Sequence, residues 1–356
     1  KNISLDLKLY DPWHYYKTLQ MTYKDEESAN QFIATEMGMG IQALIMMAAL
    51  KAYSLINIKE KNPIFIDEPE LYLHPQAQRV FYKQLREMSY NGLQIFYATH
   101  SSNFLSTEYF DEVCLVRKTK ENGTTINKCK IDDFIEDFKI RYPDLDINDI
   151  SFRMYIKKAF ECTGNSQRSH EAFFAKKIIL VEGESEQIIL PLLFDKVGFD
   201  LDKEGVTIVN CGGKSELDRF YRIYNEFKIP CYIVFDGDLN NADQHEAVKS
   251  NKIIFMLFKD EFTDKIPEFP DGKPHQKFLG FEKNIEEALN TKKYDRDNIM
   301  KLVQHTRKEF IDKDEVPDWF TELVEKIKTL GSLKYRSCLM RKDGAKGEIS
   351  KKQPFT

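Results

Sequence analysis

The sequence has 356 residues, 42% of them hydrophobic, enough for two or three domains with cores of their own. Six cysteines without a C-x-x-C pair fit a reduced compartment and argue against a zinc site, and no apolar run is long enough to span a membrane. A net charge of −5 argues against a generic nucleic-acid coat, although local basic patches or bound cations can still meet DNA.

Lys1 to Leu9 alternate as a strand does, and the chain opens in mid-pattern without an initiator Met, so we expect a piece of a longer protein. Gly38-Met39-Gly40-Ile41-Gln42 precedes a helical run from Ala43 to Leu55; such glycines allow close backbone approach and bare the helix amides to a phosphate, though they open buried helices more often. Ile64-Phe65-Ile66-Asp67-Glu68 reads as a buried strand ending in two acids. A helix from Gln76 to Met88 and a strand from Leu93 to Ala98 follow, the latter ending in Thr99-His100.

A hairpin is predicted around Glu121-Asn122-Gly123-Thr124, and a charged, partly helical connection covers Asp132 to Ser169. Strands at 177–181, 206–210 and 231–235 alternate with helices at 184–197 and 215–228, which implies right-handed crossovers and a parallel sheet. Ile253 to Leu257 is a further strand candidate, Phe278 to Leu289 runs into a helix, and 290–330 is amphipathic helical cover. The end is basic, with Lys334, Arg336, Arg341, Lys342, Lys346, Lys351 and Lys352.

The chemistry concentrates where strands deliver carboxylates. Val181 is followed by Glu182-Gly183-Glu184-Ser185-Glu186, and Phe235 by Asp236-Gly237-Asp238. Open α/β sheets bind ligands at the carboxyl ends of their strands. A turn at Gly237 aims two aspartates into one cleft, and Glu182 and Glu186 flank the strand-to-helix junction. If the strands are neighbours, four acids converge, and hard divalent cations with oxygen ligands are their natural occupants. Gly212-Gly213-Lys214, at another strand-to-helix turn, could meet a DNA phosphate or be a simple tight turn.

Glu182, Gly212-Gly213-Lys214 and the Asp236/Asp238 pair, in that order, resemble a Toprim domain, the metal-binding fold of topoisomerases and primases. The resemblance implies that Glu182 binds metal or acts in acid/base steps and that both aspartates ligate metal. The amino-terminal motifs resemble the ABC-type ATPases of the SMC-like class. By that resemblance Asp67 and Glu68 form a Walker B element, holding the Mg²⁺ of ATP and polarising the attacking water. Glu70 to Pro75 fall on the D-loop region, His100 on the switch histidine, and Gly38 and Gly40 on a degenerate signature loop that caps ATP on an opposite subunit. No G-x-x-x-x-G-K-[ST] loop is present, so the chain as given is not expected to hydrolyse ATP alone.

ATPase motifs followed directly by a Toprim domain resemble the overcoming-lysogenization-defect (OLD) nucleases. The expected fold is α/β: the carboxyl-terminal part of an ABC/SMC-like ATPase domain (1–110), a hairpin and helical connector (111–170), and a Toprim domain with a basic extension (171–356). The resemblance adds Glu186 to the site and implies two ions, Mg²⁺ or Mn²⁺, with ATP in the full-length protein. It points to Glu282 or Glu286 as a later acid, Glu286 being assigned to the metal set, and to a catalytic lysine among Lys346, Lys351 and Lys352, of which we take Lys352. The implied activity is two-metal hydrolysis of DNA phosphodiesters coupled to an ATPase, in anti-phage defence. The implied setting is cytoplasmic and off the membrane, in a homodimer or higher oligomer, with a possible defence partner protein. Two other classes stay open. One is an SMC-like scaffold that grips DNA through an inactive Toprim-like part; the other is a primase or topoisomerase-like enzyme, against which the lack of a winged-helix or zinc module argues.

Overall fold

The structure is a computed structural model that describes residues 22–24, 31–33, 38–57, 62–119, 123–141, 143, 145–161, 166–239, 243–262, 265–290 and 299–331. The strand expected at Lys1 to Leu9 and the basic residues beyond Gly331, Lys346, Lys351 and Lys352 among them, lie outside the described residues. The chain divides into two compact units, Lys1–Phe104 and Leu105–Thr356.

In the first unit, β1 (Thr22–Lys24) pairs antiparallel with β2 (Gln31–Ile33). Helix α1 (Met39–Asn57) starts four residues earlier than expected, because Gly38 O accepts from Ile41 N and Gln42 N at 2.9 and 3.2 Å. Gly40 therefore sits in the first helical turn and not in a loop. Strand β3 (Ile64–Asp67), helix α2 (Pro75–Tyr90) and strand β4 (Ile95–Ala98) form a β-α-β unit, with Asp67 in register with Ala98. Pro75 opens α2, where its missing N–H costs nothing. Leu73, Phe81, Leu85, Met88, Leu93 and Phe104 are buried beneath it.

The second unit begins with the hairpin β5 (Cys114–Thr119) and β6 (Gly123–Lys128), then α3 (Ile131–Arg141), α4 (Asp149–Glu161) and α5 (Ser166–Glu171). The αβ alternation follows: β7 (Lys177–Val181), α6 (Glu184–Lys196), α7 (Leu201–Glu204), β8 (Val206–Asn210), α8 (Lys214–Glu226), β9 (Cys231–Asp236) and α9 (Gln244–Leu257). Strand β10 (Phe278–Phe281) leads into α10 (Ile285–Ala288), and α11 (Ile299–Thr306) and α12 (Asp318–Thr329) close the described chain.

One expected strand is a helix. Ile253–Leu257 forms the last turns of α9, whose start is set ten residues earlier by Asp243, its carboxylate accepting from Glu246 N. Ile254 and Phe255 are buried while Met256 is 47% exposed, so the five apolar residues straddle a helix face. A short apolar run fits either period, and here the upstream cap decides. The strand that completes the sheet is instead Phe278–Phe281.

The sheet order is β10-β9-β7-β8, all parallel. Alternate side chains of the central strands serve two cores. Ile178, Leu180, Ile233 and Phe235 pack on the side of α3, α4, α8 and α9; Ile179, Val181, Tyr232 and Val234 pack on the side of α6, α11 and α12. The connector helices thus share a core with the sheet: Phe160 of α4 stacks on Phe220 of α8 at 3.9 Å between centroids. Since β8 lies on one side of β7 and β9 on the other, the strand order reverses between β7 and β9. That reversal opens a crevice at their carboxyl ends.

Candidate active site

Glu182 follows β7 and Asp236 ends β9, so both stand at this crevice. The Asp236 N–H donates to Glu182 Oε2 at 3.2 Å, tying the two strand tips together. Asp236 Oδ1 in turn accepts from Ile285 N at 3.1 Å, which caps α10 and brings Glu286 to the same place. Glu286 Oε1 accepts from Ser185 Oγ at 2.8 Å. Glu186 is buried; its Oε2 reaches back to accept from Gly183 N at 3.0 Å, one half of a capping box whose other half glycine cannot supply. Glu282, the alternative later acid, is exposed.

The turn after β9 is stitched to the end of β10. Gly237 N donates to Phe281 O (2.7 Å), Asp238 N to Lys283 O (2.9 Å) and Leu239 N to Glu282 O (3.0 Å). Asp238 takes a left-handed φ of 59°, a conformation that aspartate tolerates better than most residues. A Cβ on Gly237 would lie 2.5 Å from the carbonyl oxygens of both Phe281 and Glu282. Because backbone atoms cannot step aside, Gly237→Ala is expected to cost about 2 kcal/mol, read as a lower urea midpoint at unchanged slope. A loss below ~0.5 kcal/mol would mean that the turn is not held this way.

Electrostatically the cluster is under load. Burial first, then the carboxylates of Glu186, Glu182, Glu286 and Asp238, hold the Asp236 carboxyl well above its usual range. Burial, with Glu182 and Glu286, pushes Glu186 up to about 7. Like charges gathered this closely fit a hard divalent cation. The side chains are nonetheless turned onto amides and neighbours: among the described residues no three His, Cys, Asp or Glu side chains are already disposed around one point. The donor set suits a metal, and gathering it calls for rotation of carboxylates now serving as caps.

Lys214, which the sequence offered to DNA, is largely buried at the start of α8. Its Nζ lies 2.6 Å from Asp238 Oδ2 and 3.2 Å from Asn251 Oδ1. Asn251 of α9, a residue the sequence reading passed over, is itself wholly buried and donates to Gly237 O at 2.9 Å. Nothing in the spacing of positions 214, 237 and 251 announces this contact.

In the first unit, β3 and β4 bring Asp67, Glu68 and His100 to one end of the β-α-β unit. Asp67 and His100 are exposed, and Glu68 carries a left-handed φ of 47°. Glu70 does the joining: its Oε2 accepts from Thr99 Oγ1 (2.7 Å) and its Oε1 from His100 N (2.6 Å). Gln78 Oε1 accepts from Ser101 Oγ (2.7 Å) and Asn103 Nδ2 (3.0 Å), holding the rest of the same loop. Gly38 and Gly40 sit at the start of α1, Gly40 close beneath Tyr72 O.

Residues 173–238 match the family described as "Overcoming lysogenization defect protein-like, TOPRIM domain", and residues 6–105 match an AAA ATPase domain. The chain carries an OLD-like Toprim domain behind an AAA-type ATPase domain. Among curated OLD proteins, it is 29% identical over 245 residues to the OLD nuclease of Thermus scotoductus, covering 68% of this chain and 43% of that one. It is 30% identical over 230 residues to the Old nuclease of Escherichia phage P2, covering 62% and 36%. Endonuclease GajA of Bacillus cereus (strain HuB5-5) is 27% identical over 282 residues, covering 72% and 37%. The chain thus spans less than half the length of these OLD-type relatives. No described helix is long and apolar enough to cross a membrane.

Proposed function

We propose that this chain is the nuclease-bearing part of an OLD-type, ATPase-linked, metal-dependent DNA endonuclease. The observation that carries the reading is the meeting of Glu182, Glu186, Asp236 and Glu286 at the crevice where strand order reverses, with Asp238 on the adjoining turn. The similar proteins, two OLD nucleases and an endonuclease, agree with it. We assign Glu182, Glu186, Asp236, Asp238 and Glu286 to hold two ions, Mg²⁺ or Mn²⁺, with Lys352 as the later lysine. Such ions, when bound, supply positive charge against the phosphodiester and a nucleophile at neutral pH. The chain's own part is to orient the carboxylates: Glu182 through the Asp236 amide and Asp236 through the Ile285 amide.

The domain limits we propose remain 1–110, 111–170 and 171–356. In the full-length protein, Asp67, Glu68, His100, Gly38 and Gly40 would face ATP between two copies, and ATP would govern DNA access to the nuclease. A cytoplasmic anti-phage role, in a dimer or larger assembly with a defence partner, completes the proposal.

A second reading, a scaffold that grips DNA without cutting it, draws support from the caps that already occupy the carboxylates. One experiment separates the two: supercoiled plasmid is incubated with full-length protein and Mg²⁺ or Mn²⁺, wild type beside Asp236→Ala. Nicking by wild type that falls to background in the variant is expected. Equal nicking by both would remove the assigned site, and DNA binding without nicking by either would favour the scaffold.

A further inference from the structure

We propose that Lys214 is a built-in cation of the acid cleft, which holds Asp238 while no metal is present and must release it when an ion binds. The inference rests on the metal-site reading above and adds a residue that sets how tightly the site takes its ion.

Lys214 is placed against local preference. It is the first residue of α8, where the helix dipole disfavours positive charge, and its side chain is only 6% exposed. Burying an ammonium costs several kcal/mol unless it is matched. Gly212 (φ 78°) and Gly213 (φ 139°) turn the chain so that this side chain enters the protein beside β9. There it finds Asp238 Oδ2 at 2.6 Å, Asn251 Oδ1 at 3.2 Å and the ring of Phe235 at 6.0 Å. Asn251 cannot turn its oxygen elsewhere, since its amide nitrogen donates to Gly237 O (2.9 Å) and Glu268 O (3.2 Å). The cradle thus fixes an ammonium on the second aspartate of the Asp-x-Asp pair. A pair of apolar side chains in place of Lys214 and Asp238 would fill the same space without burying an ammonium, so the charge itself calls for a role.

A metal ion and Lys214 compete for Asp238. Removing a unit charge about 10 Å from a divalent ion, at an effective dielectric near 20, changes affinity on the order of a hundredfold. Mn²⁺ binding to the full-length protein by titration calorimetry is therefore expected to tighten on the order of a hundredfold in Lys214→Met, and to vanish in Asp236→Ala. A tighter site cannot come from misfolding. A second measurement uses wild type alone: acetylation of Lys214, followed by mass spectrometry, should be slow in metal-free protein and several-fold faster with Mg²⁺. Unchanged or weaker Mn²⁺ binding in Lys214→Met, or labelling no faster with Mg²⁺, would overturn the proposal while Asp236→Ala still lost the ion. If wild type took no Mn²⁺, or Asp236→Ala took it as well as wild type, the metal-site reading itself would fall, and this one with it.

Discussion

In metal-free protein at pH 8, Glu186→Gln is expected to raise the melting temperature. The folded protein holds the Glu186 carboxyl near 7, against an ordinary value of 4.5, chiefly because it is buried and secondarily because Glu182 and Glu286 are close. Between those two values the folded chain keeps a proton that the unfolded chain has lost, so stability falls as pH rises through this window and stays low above it. The full difference is on the order of 3 kcal/mol, equivalent to roughly 5–10 °C for a chain of this size. Asp236, raised for the same reasons, acts in the same direction. A glutamine removes the charge yet can still accept from Gly183 N–H. Melting in the presence of a chelator at pH 5 and pH 8 checks the idea: wild type should lose stability across this range, the variant much less, and Mn²⁺ at pH 8 should restore wild type. A variant that melts at or below wild type at pH 8 would show that the carboxyl is not strained by its neighbours.

The opposite result is expected where charge is balanced. Arg141 of α3 bonds Asp218 Oδ2 at 2.7 Å and Asp137 Oδ2 at 2.6 Å, and Arg222 of α8 bonds Asp218 Oδ1 at 2.7 Å and approaches Asp137 Oδ1 at 3.5 Å. The side chains of Asp137, Asp218 and Arg222 are 1%, 3% and 7% exposed. Two guanidiniums facing two carboxylates cancel. Asp218→Ala leaves both arginines to a single carboxylate, and breaking a buried set in this way costs about 3–5 kcal/mol. Urea unfolding should show it, and Arg141→Met in the same chain should recover part of the loss, because it takes away one of the stranded charges. A loss under ~1 kcal/mol would mean that water reaches the network.

How much was legible in the sequence depended on whether the signal was local. Strands 177–181 and 206–210 are apolar on both faces and end in acids or glycine, and the structure has strands at those same residues. Residues 253–257 carry the same kind of run but belong to a helix, whose defining cap at Asp243 lies outside the run. Glu182 and Asp236 were readable as strand tips, whereas their adjacency depends on strand order, which no single segment encodes. Lys214 was visible only as part of a turn. Its partners Asp238 and Asn251 come from the next strand end and the helix after it. Glu70 falls in the same class: it sits inside a readable motif, but its grip on the Thr99–His100 backbone exists only once β3 and β4 lie side by side.

The matched Toprim segment ends at residue 238, and the sheet does not. Strand β10 pairs along β9 from Ile233 to Asp236, and the amides and carbonyls that hold Asp236 and Asp238 come from residues 281–285. A clone cut just after the second aspartate would keep four of the five acids, losing only Glu286, yet lay bare the edge of a strand whose residues Cys231 to Phe235 are all buried. Any minimal version made for crystallisation or screening therefore has to run past Leu289, since residues 278–289 are a wall of the cleft and not a tail attached to it.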